Sequence, residues 1–448
     1  MPDAAADQPS PGPAGSPSAQ EEVVDLCRDL IRIDTSNYGD GSGPGERVAA
    51  EHVAALLAEV GLEPTLLEPT DRRTSVVARW EGEDPSRDAL LIHGHLDVVP
   101  ADGRDWKVDP FAGEVADGCV WGRGAVDMKD MDAMVLALVR EWRRAGRKPP
   151  RDVVLAFLAD EEAGGVQGAH WLVDHHPGLF EGCTESISEV GGFSFTAPDG
   201  TRAYLVQTAQ KGIAWLRLVA RGTAGHGSMV NADNAVTELA EAVARIGRHE
   251  WPVRLTPTVQ RFLEDMSDLL GVELDRDHPE ALLVHLGTLA RIVGATLRNT
   301  TNPSRLTAGY KTNVIPQTAT AEVDGRFLPG YEEEFLATID GLLPASVTRE
   351  SVHRDNAVET TFDGALVDGM VAALQAEDPG CRVIPYCLSG GTDDKSFSQL
   401  GVRGFGFAPL QLPPDLDFPA MFHGVDERVP VEALQFGVRV LDRFLAGS

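Results

Sequence analysis

The stretch DALLIHGHLDVVP, residues 88–100, combines the pattern of a buried strand with three polar side chains at its end. Its continuous apolar run predicts a strand covered on both faces, as in a parallel sheet flanked by helices. The polar residues are His93, His95 and Asp97, and all three share one face because alternate side chains of a strand point the same way. In open α/β sheets ligands bind beyond the carboxyl ends of the strands, so this run predicts a functional site.

Strand-like and helix-like segments alternate around that run, which predicts an α/β fold with a mainly parallel sheet and helices on both faces. Short apolar or β-branched runs predict strands at residues 74–80, 89–99 and 152–160. Apolar residues spaced three and four apart predict helices at residues 21–33, 46–61 and 129–146.

The pattern changes near residue 205, where alternating strands and helices of antiparallel character begin. The predicted elements there are a long strand at 203–223, a helix at 234–247, a strand at 318–330, a helix at 332–343 and a strand at 347–359. Helical patterns of the first kind return at 363–376 and 431–445. We therefore expect a main domain of residues 21–208 and 357–448, an inserted α+β domain of residues 209–356, and a disordered tail of residues 1–20.

Composition excludes several classes of function. The chain has 69 acidic and 39 basic residues, and its net charge of -30 disfavours binding to nucleic acid or to anionic membranes. Its five cysteines are scattered without a C-x-x-C pair, which argues against a disulfide framework or a thiolate zinc site. With no signal-peptide pattern and no long apolar stretch, the sequence is typical of a cytoplasmic protein.

Further ligand-type residues follow other predicted strands or begin loops. They are Asp127 in WGRGAVDMKD, Glu161 and Glu162 in FLADEEAGG, Glu189 in SISEVGG, and His423 in AMFHGVDERVP. Taken singly, each has an ordinary structural reading as a core histidine, a solvated acidic turn or a helix cap. Together, two imidazoles and several carboxylates match the ligands of two zinc-like ions. The Asp97 carboxylate is placed to fix the tautomer of a metal-bound imidazole, and spacing leaves both His93 and His95 open as that ligand.

The stretches GHLDVVP, GRGAVDMKD, ADEEAGG, SEVGG, GTAGHGS and FHGVDERV, in this order, resemble the family of dinuclear zinc exopeptidases and deacylases. That family includes aminoacylase, glutamate carboxypeptidase, acetylornithine deacetylase and succinyl-diaminopimelate desuccinylase, and the resemblance spans about residues 20–446. It implies that His95 and Glu189 hold one metal, that Glu162 and His423 hold the other, and that Asp127 bridges them. It also implies that Asp97 orients His95 and that Glu161 is the general base.

The same resemblance implies that the inserted domain is a lid through which two chains form a homodimer. His226 in TAGHGS resembles a lid histidine that reaches the partner's active site to stabilise the oxyanion, although a surface-turn histidine is the alternative. Asn313 and Arg326 resemble residues that bind the substrate carboxylate, and a salt bridge within the lid is the alternative for Arg326. Gly390 and Gly391, in SGGTDDKSF, resemble the glycine-rich loop beside the substrate.

Two departures from the family pattern stand out. Residues 250–305 enlarge the lid, as in carboxypeptidase-S and aminoacylase-like members, and Val190 follows the glutamate of SEVGG where many relatives have glycine. We expect an amide hydrolase with two divalent ions, zinc in the first place, although cobalt and manganese suit the same ligands. Its expected substrate is a peptide or N-acyl amino acid with a free carboxylate. The alternatives are a specific biosynthetic deacylase, such as a desuccinylase or acetylornithine deacetylase, and a catalytically silent metal-binding scaffold.

Overall fold

A computed structural model describes residues 16–448 of the chain. Most of the predicted tail, residues 1–15, therefore lies outside the described residues, and the first helix already begins at Ala19. The chain divides into two compact units, and the second consists of Thr208–Thr361 together with Pro385–Lys395. The predicted insertion, residues 209–356, falls within the longer of these two segments.

The helices and strands follow one another along both units. The helices are α1 (Ala19–Arg32), α2 (Arg47–Glu59), α3 (Lys129–Arg144), α4 (Ala169–His175), α5 (Ala235–Gly247), α6 (Pro257–Leu270), α7 (Ala290–Gly294), α8 (Glu332–Leu342), α9 (Ala365–Glu377), α10 (Asp394–Ser398) and α11 (Val431–Gly447). The strands are β1 (Thr65–Thr70), β2 (Arg73–Trp80), β3 (Ala89–His95), β4 (Glu114–Ala116), β5 (Cys119–Trp121), β6 (Val153–Leu158), β7 (Cys183–Ser188), β8 (Phe193–Thr196), β9 (Arg202–Gln210), β10 (Gly212–Arg221), β11 (Gly225–His226), β12 (Thr300–Ala308), β13 (Val314–Ile315), β14 (Thr318–Phe327), β15 (Val347–Asp355), β16 (Val358–Glu359), β17 (Arg382–Leu388), β18 (Arg403–Gly406) and β19 (Arg428–Pro430). Of the helices in residues 16–448, none has both the length and the apolar sequence that crossing a membrane requires.

The sheet of the first unit has the strand order β1-β2-β6-β3-β7-β18-β9. Its centre is parallel, since β3 pairs in parallel with β6 and β7, and β18 pairs in parallel with β7. Every residue of β3 and β6 is buried, as their apolar sequences predicted. Helix α3 packs on β3, while α4 contributes to an apolar cluster with Leu91 and Val154. The predicted α/β fold is confirmed, with the refinement that the flanking strands β1, β2 and β9 pair antiparallel.

The second unit contains the antiparallel sheet β12-β14-β10-β15, and α5 and α8 pack on it around a core of alternate strand residues. One expectation was wrong here, because the predicted single strand at 203–223 is two strands, β9 and β10. The break falls at Lys211, where the backbone N–H donates to Leu388 O at 3.1 Å. Beyond this point the strand pairs with β14 and β15 instead of the partners of β9. The alternation of side chains does not reveal such a change of partner, because β9 and β10 continue the same alternating pattern.

Candidate metal centre

Five of the sequence-predicted ligands lie together in the first unit. They form two groups that share one aspartate: His95 with Asp127 and Glu189, and Asp127 with Glu162 and His423. Within each group the ligand atoms all lie within 4.8 Å of one another. The structure therefore brings the predicted donor set to one place.

The fold explains why residues so far apart in sequence meet. His95 is the last residue of β3, Glu189 follows β7, and Glu162 lies in a short 3-10 turn just after β6. These three strands are neighbours in the parallel part of the sheet, so their carboxyl ends face the same edge. Asp127 precedes α3, and His423 lies in the loop before β19 with a left-handed φ of 56°. A non-glycine residue in that conformation is uncommon and marks a loop held by its surroundings.

The interatomic distances are compatible with donor atoms that share two metal ions. His95 Nε2 lies 3.2 Å from Asp127 Oδ1 and 3.5 Å from Glu189 Oε2. His423 Nε2 lies 3.3 Å from the other oxygen, Asp127 Oδ2, and 3.0 Å from Glu162 Oε2. Ligands at ~2.0 to 2.2 Å from a tetrahedral zinc ion are separated by roughly 3.4 Å. The two oxygens of Asp127 thus face different groups, as a bridging carboxylate requires.

The charges at the centre also favour the binding of cations. Burial alone would lower the pKa of His95, but the neighbouring Glu189 and Asp127 carboxylates outweigh it and raise that pKa well above its ordinary value. Hydrogen bonds to Asp127 and Glu162 raise the pKa of His423 to about 10. Burial raises the pKa of Glu189 to about 7, although His95 opposes the shift. Four carboxylates that are at most 16% exposed surround only two imidazoles: Asp127, Glu161, Glu162 and Glu189. Two divalent ions would balance this excess of negative charge.

Asp97 acts differently from the sequence prediction. The atom that accepts from His95 Nδ1 is the backbone oxygen of Asp97, at 2.9 Å, while the nearer carboxylate oxygen lies 3.7 Å away. The reason is that β3 ends at His95, so the following turn brings the carbonyl rather than the side chain to the ring. Because a carbonyl only accepts, Nδ1 carries the proton and Nε2 keeps its lone pair for the centre. The Asp97 carboxylate accepts instead from the backbone N–H groups of Glu161 and Glu162, each at 3.1 Å.

His93, the other histidine of the opening stretch, belongs to neither donor group. Its ring packs at 4.7 Å from that of Phe397, and its Nδ1 lies 3.2 Å from Ser188 Oγ. Spacing alone left both His93 and His95 open as the ligand. The structure selects His95, because this residue lies at the end of the strand.

A buried ion pair that the sequence interpretation missed joins two of the ligand loops. The side chains of Arg123 and Glu427 are 4% and 0% exposed and pair at 2.6 Å. Glu427 also accepts from two backbone N–H groups of the loop 124–126, which leads directly to Asp127. Since Glu427 lies four residues after His423, this pair fixes the loops of two ligands to each other. In the sequence, the motif FHGVDERV points to the histidine alone.

His226 and Asn313 lie near each other in the second unit. His226 is in β11 and pairs with β13, and the next residue, Gly227, donates its N–H to Asn313 O at 2.9 Å. The exposed imidazole accepts at Nδ1 from Ser228 N at 3.3 Å, and the same nitrogen lies 2.8 Å from Ser228 Oγ, which can also donate to it. A ring that accepts at Nδ1 carries its proton on Nε2, so it presents a hydrogen-bond donor to solvent.

The other predicted substrate residues also lie in the second unit. Arg326, on β14, forms a two-pronged ion pair with Asp324, with Nε to Oδ1 at 2.7 Å and Nη2 to Oδ2 at 3.2 Å. The salt bridge considered for Arg326 is therefore present. Gly390 and Gly391 follow β17, and a Cβ at Gly391 would clash with the side chain of the buried Lys395. That loop position therefore favours glycine.

Comparisons with known proteins show relatives along most of the chain. The sequence model of peptidase family M20/M25/M40 matches residues 91–447. Human aminoacylase-1 is 26% identical over 442 residues, covering 96% of this chain and 96% of that protein. A probable carboxypeptidase S-like protein of Dictyostelium discoideum is 26% identical over 385 residues, covering 80% of this chain and 71% of that protein. An M20 family metallo-carboxypeptidase from Sulfolobus solfataricus has the same fold, with a TM-score of 0.72 at 17% identity over 95% of this chain and 99% of that one.

Proposed function

The chain belongs to peptidase family M20/M25/M40, and from this premise we propose that it hydrolyses a peptide or N-acyl amide bond next to a free carboxylate. As a member of the family it is a metal-dependent amide hydrolase. The observation that carries the proposal is the pair of donor groups sharing Asp127, with Glu161 beside them. The names of its relatives, an aminoacylase and a probable carboxypeptidase, suggest the substrate class.

The five ligands would hold two divalent ions. We assign His95 and Glu189 to one ion, Glu162 and His423 to the other, and one oxygen of Asp127 to each. Imidazole and carboxylate ligands at these separations suit zinc, which is the ion we propose. When bound, two such ions acidify a water molecule and polarise the scissile carbonyl.

Glu161 is the proposed general base. Its Oε2 lies 4.0 Å from His95 Nε2, so it borders the donor groups, and its backbone N–H is held by the Asp97 carboxylate. Its side chain is 16% exposed, which leaves it accessible to water and substrate. Glu161 would accept a proton from the attacking water and deliver it to the leaving nitrogen, a role typically worth ~10²- to 10⁴-fold in rate.

We assign the recognition of substrate to the second unit. The Nε2–H of His226 suits donation to a developing oxyanion, in the active site of a partner chain if the second unit forms a homodimer. Asn313 and the planar fork of Arg326 suit a free carboxylate, and Gly390 and Gly391 would let the backbone approach the substrate closely. The five cysteines are unpaired, which supports a cytoplasmic location.

A substrate panel tests the proposal. Zinc-loaded protein is assayed with N-acyl amino acids, dipeptides, N-succinyl-diaminopimelate and N-acetylornithine, and the matched control is Glu161→Gln. We expect turnover of one substrate class, and a loss of ~10²- to 10⁴-fold in kcat for the variant with both ions retained. Two bound ions without turnover of any substrate would favour a silent scaffold. An unchanged rate for Glu161→Gln would remove Glu161 as the base.

A further inference from the structure

A buried asparagine lies between the turn after β3, which carries Asp97, and the turn after β6, which carries Glu161 and Glu162. Asn37 is 4% exposed, and its amide group donates to Asp97 Oδ2 at 2.8 Å and to Asp160 Oδ1 at 3.1 Å. Asp160 is the residue immediately before Glu161, and its backbone is left-handed with a φ of 69°. One side chain thus connects the turn after β3 to the turn after β6.

Hydrogen bonds to the turn after β3 fix the backbone around Asn37. Its N–H donates to Val98 O at 2.9 Å, and the Val98 N–H donates to Thr35 O at 3.2 Å. The Thr35 hydroxyl in addition donates to Leu96 O at 2.7 Å. Residues 35–37 therefore run alongside residues 96–98, so the Asn37 side chain starts from a defined position.

The amide orientation of Asn37 is fixed as well. Its Oδ1 accepts from Arg73 Nη2 at 2.9 Å and from Gly39 N at 3.0 Å, so the NH₂ group must face the two carboxylates. Arg73 is held by Glu46, and the side chains of this pair are 9% and 0% exposed. An arginine that only donates removes the ambiguity between the two ends of an asparagine amide.

We propose that Asn37 is a positioning residue for amide hydrolysis, and that it acts through Asp97 on the two glutamates. The Asp97 carboxylate receives the backbone N–H of Glu161 at Oδ1 and that of Glu162 at Oδ2. With Asn37 bound to Oδ2, the carboxylate cannot turn away, and the base and the ligand keep their places. The inference rests on the proposed roles of Glu161 and Glu162.

Asparagine suits this position better than its nearest replacements. Aspartate has the same size but would place a third carboxylate against Asp97 and Asp160. Alanine would leave both of those carboxylates without the Asn37 donor and Arg73 Nη2 without its acceptor. Partners behind metal ligands typically change metal affinity or activity by ~10- to 100-fold when removed.

The experiment compares Asn37→Ala with Ser36→Ala. Ser36 is also buried, and its hydroxyl donates to Asp34 at 2.7 Å instead of to Asp97, so its removal deletes a side-chain hydrogen bond next to Asn37 without reaching the glutamates. For Asn37→Ala we expect kcat to fall ~10- to 100-fold with KM nearly unchanged, and zinc titration of the apoprotein to show weaker binding of at least one ion. Ser36→Ala should change neither. Equal effects of the two variants, or none from Asn37→Ala, would overturn the proposal.

A double-mutant cycle separates positioning from general loss of structure. If Asn37 acts through Asp97, adding Asn37→Ala to Asp97→Ala should lower kcat little further, whereas independent effects would multiply and contradict the proposal.

Should Asn37→Ala not fold, Arg73→Lys keeps the cation beside Glu46 but loses the fork, and we expect a several-fold lower kcat at constant KM. An unchanged kcat for it would then overturn the proposal. If the wild type binds zinc but hydrolyses no amide, the proposed function fails, while the zinc titration still decides the role of Asn37.

Discussion

Replacing Glu427 by glutamine should damage stability and metal binding together. The carboxylate is fully buried and accepts at Oε2 from Arg123 Nη1 at 2.6 Å and from Gly124 N at 3.1 Å. Its other oxygen accepts from Val126 N at 2.8 Å. A glutamine has one acceptor oxygen, so its NH₂ group must face at least one of these buried N–H donors.

The magnitude follows from these contacts. A buried donor without a partner costs ~1 to 3 kcal/mol, and removing one charge of a buried ion pair costs ~3 to 5 kcal/mol. Because the remaining oxygen of glutamine can still accept from Arg123, these costs overlap. We expect Glu427→Gln to lower the free energy of unfolding by ~3 to 5 kcal/mol. The loops of Asp127 and His423 lose their common anchor, so one of the two zinc ions should bind ~10- to 100-fold more weakly.

The assays are denaturant unfolding of the zinc-free protein and zinc titration by calorimetry. Glu22→Gln is the matched control, since Glu22 pairs with Arg140 at 2.8 Å and Arg144 at 2.6 Å, at α1 and α3. It should lose stability without any change in zinc affinity. If Glu427→Gln keeps wild-type zinc affinity, or if Glu22→Gln weakens zinc equally, Glu427 does not anchor the ligand loops.

Three further predictions concern single side chains. Glu162→Ala should bind one ion fewer or bind it more weakly, whereas Glu161→Ala should keep both ions and lose turnover. Elemental analysis of the bound metal together with kcat checks this, and loss of an ion in Glu161→Ala but not in Glu162→Ala would reverse the two roles. His226→Ala should lower kcat far more than zinc affinity, and mixing it with Glu161→Ala in exchanging dimers should restore activity, whereas no rescue would exclude a role across subunits. Arg326→Ala should impair substrates with a free carboxylate more than their amides in kcat/KM, and equal losses would leave Arg326 with only its salt bridge to Asp324.

Local sequence patterns predicted several helices and strands of the fold. The apolar runs of β3 and β6 predicted buried strands, and the helix-period segments predicted α1, α2 and α3 within a few residues. They failed at Lys211, where one alternating pattern covers two strands with different partners. The pattern records which side chains are buried, but the backbone hydrogen bonds that decide pairing are made by atoms common to every residue.

The sequence by itself also indicated which kinds of side chain form the donor groups, because imidazoles and carboxylates after apolar strands are costly to bury without a partner, but spacing left both His93 and His95 open as the ligand. Only the tertiary structure decided how they are held. It placed the Asp97 carbonyl, instead of the expected Asp97 carboxylate, next to His95 Nδ1, because β3 ends at His95 and Asp97 lies two residues beyond it in the turn. It also brought Asn37 to Asp97 across 60 positions and Glu427 to the loop 124–126 across about 300. Such contacts have no characteristic spacing in the sequence. Parallel strands are joined by long crossovers, so residues far apart along the chain come together.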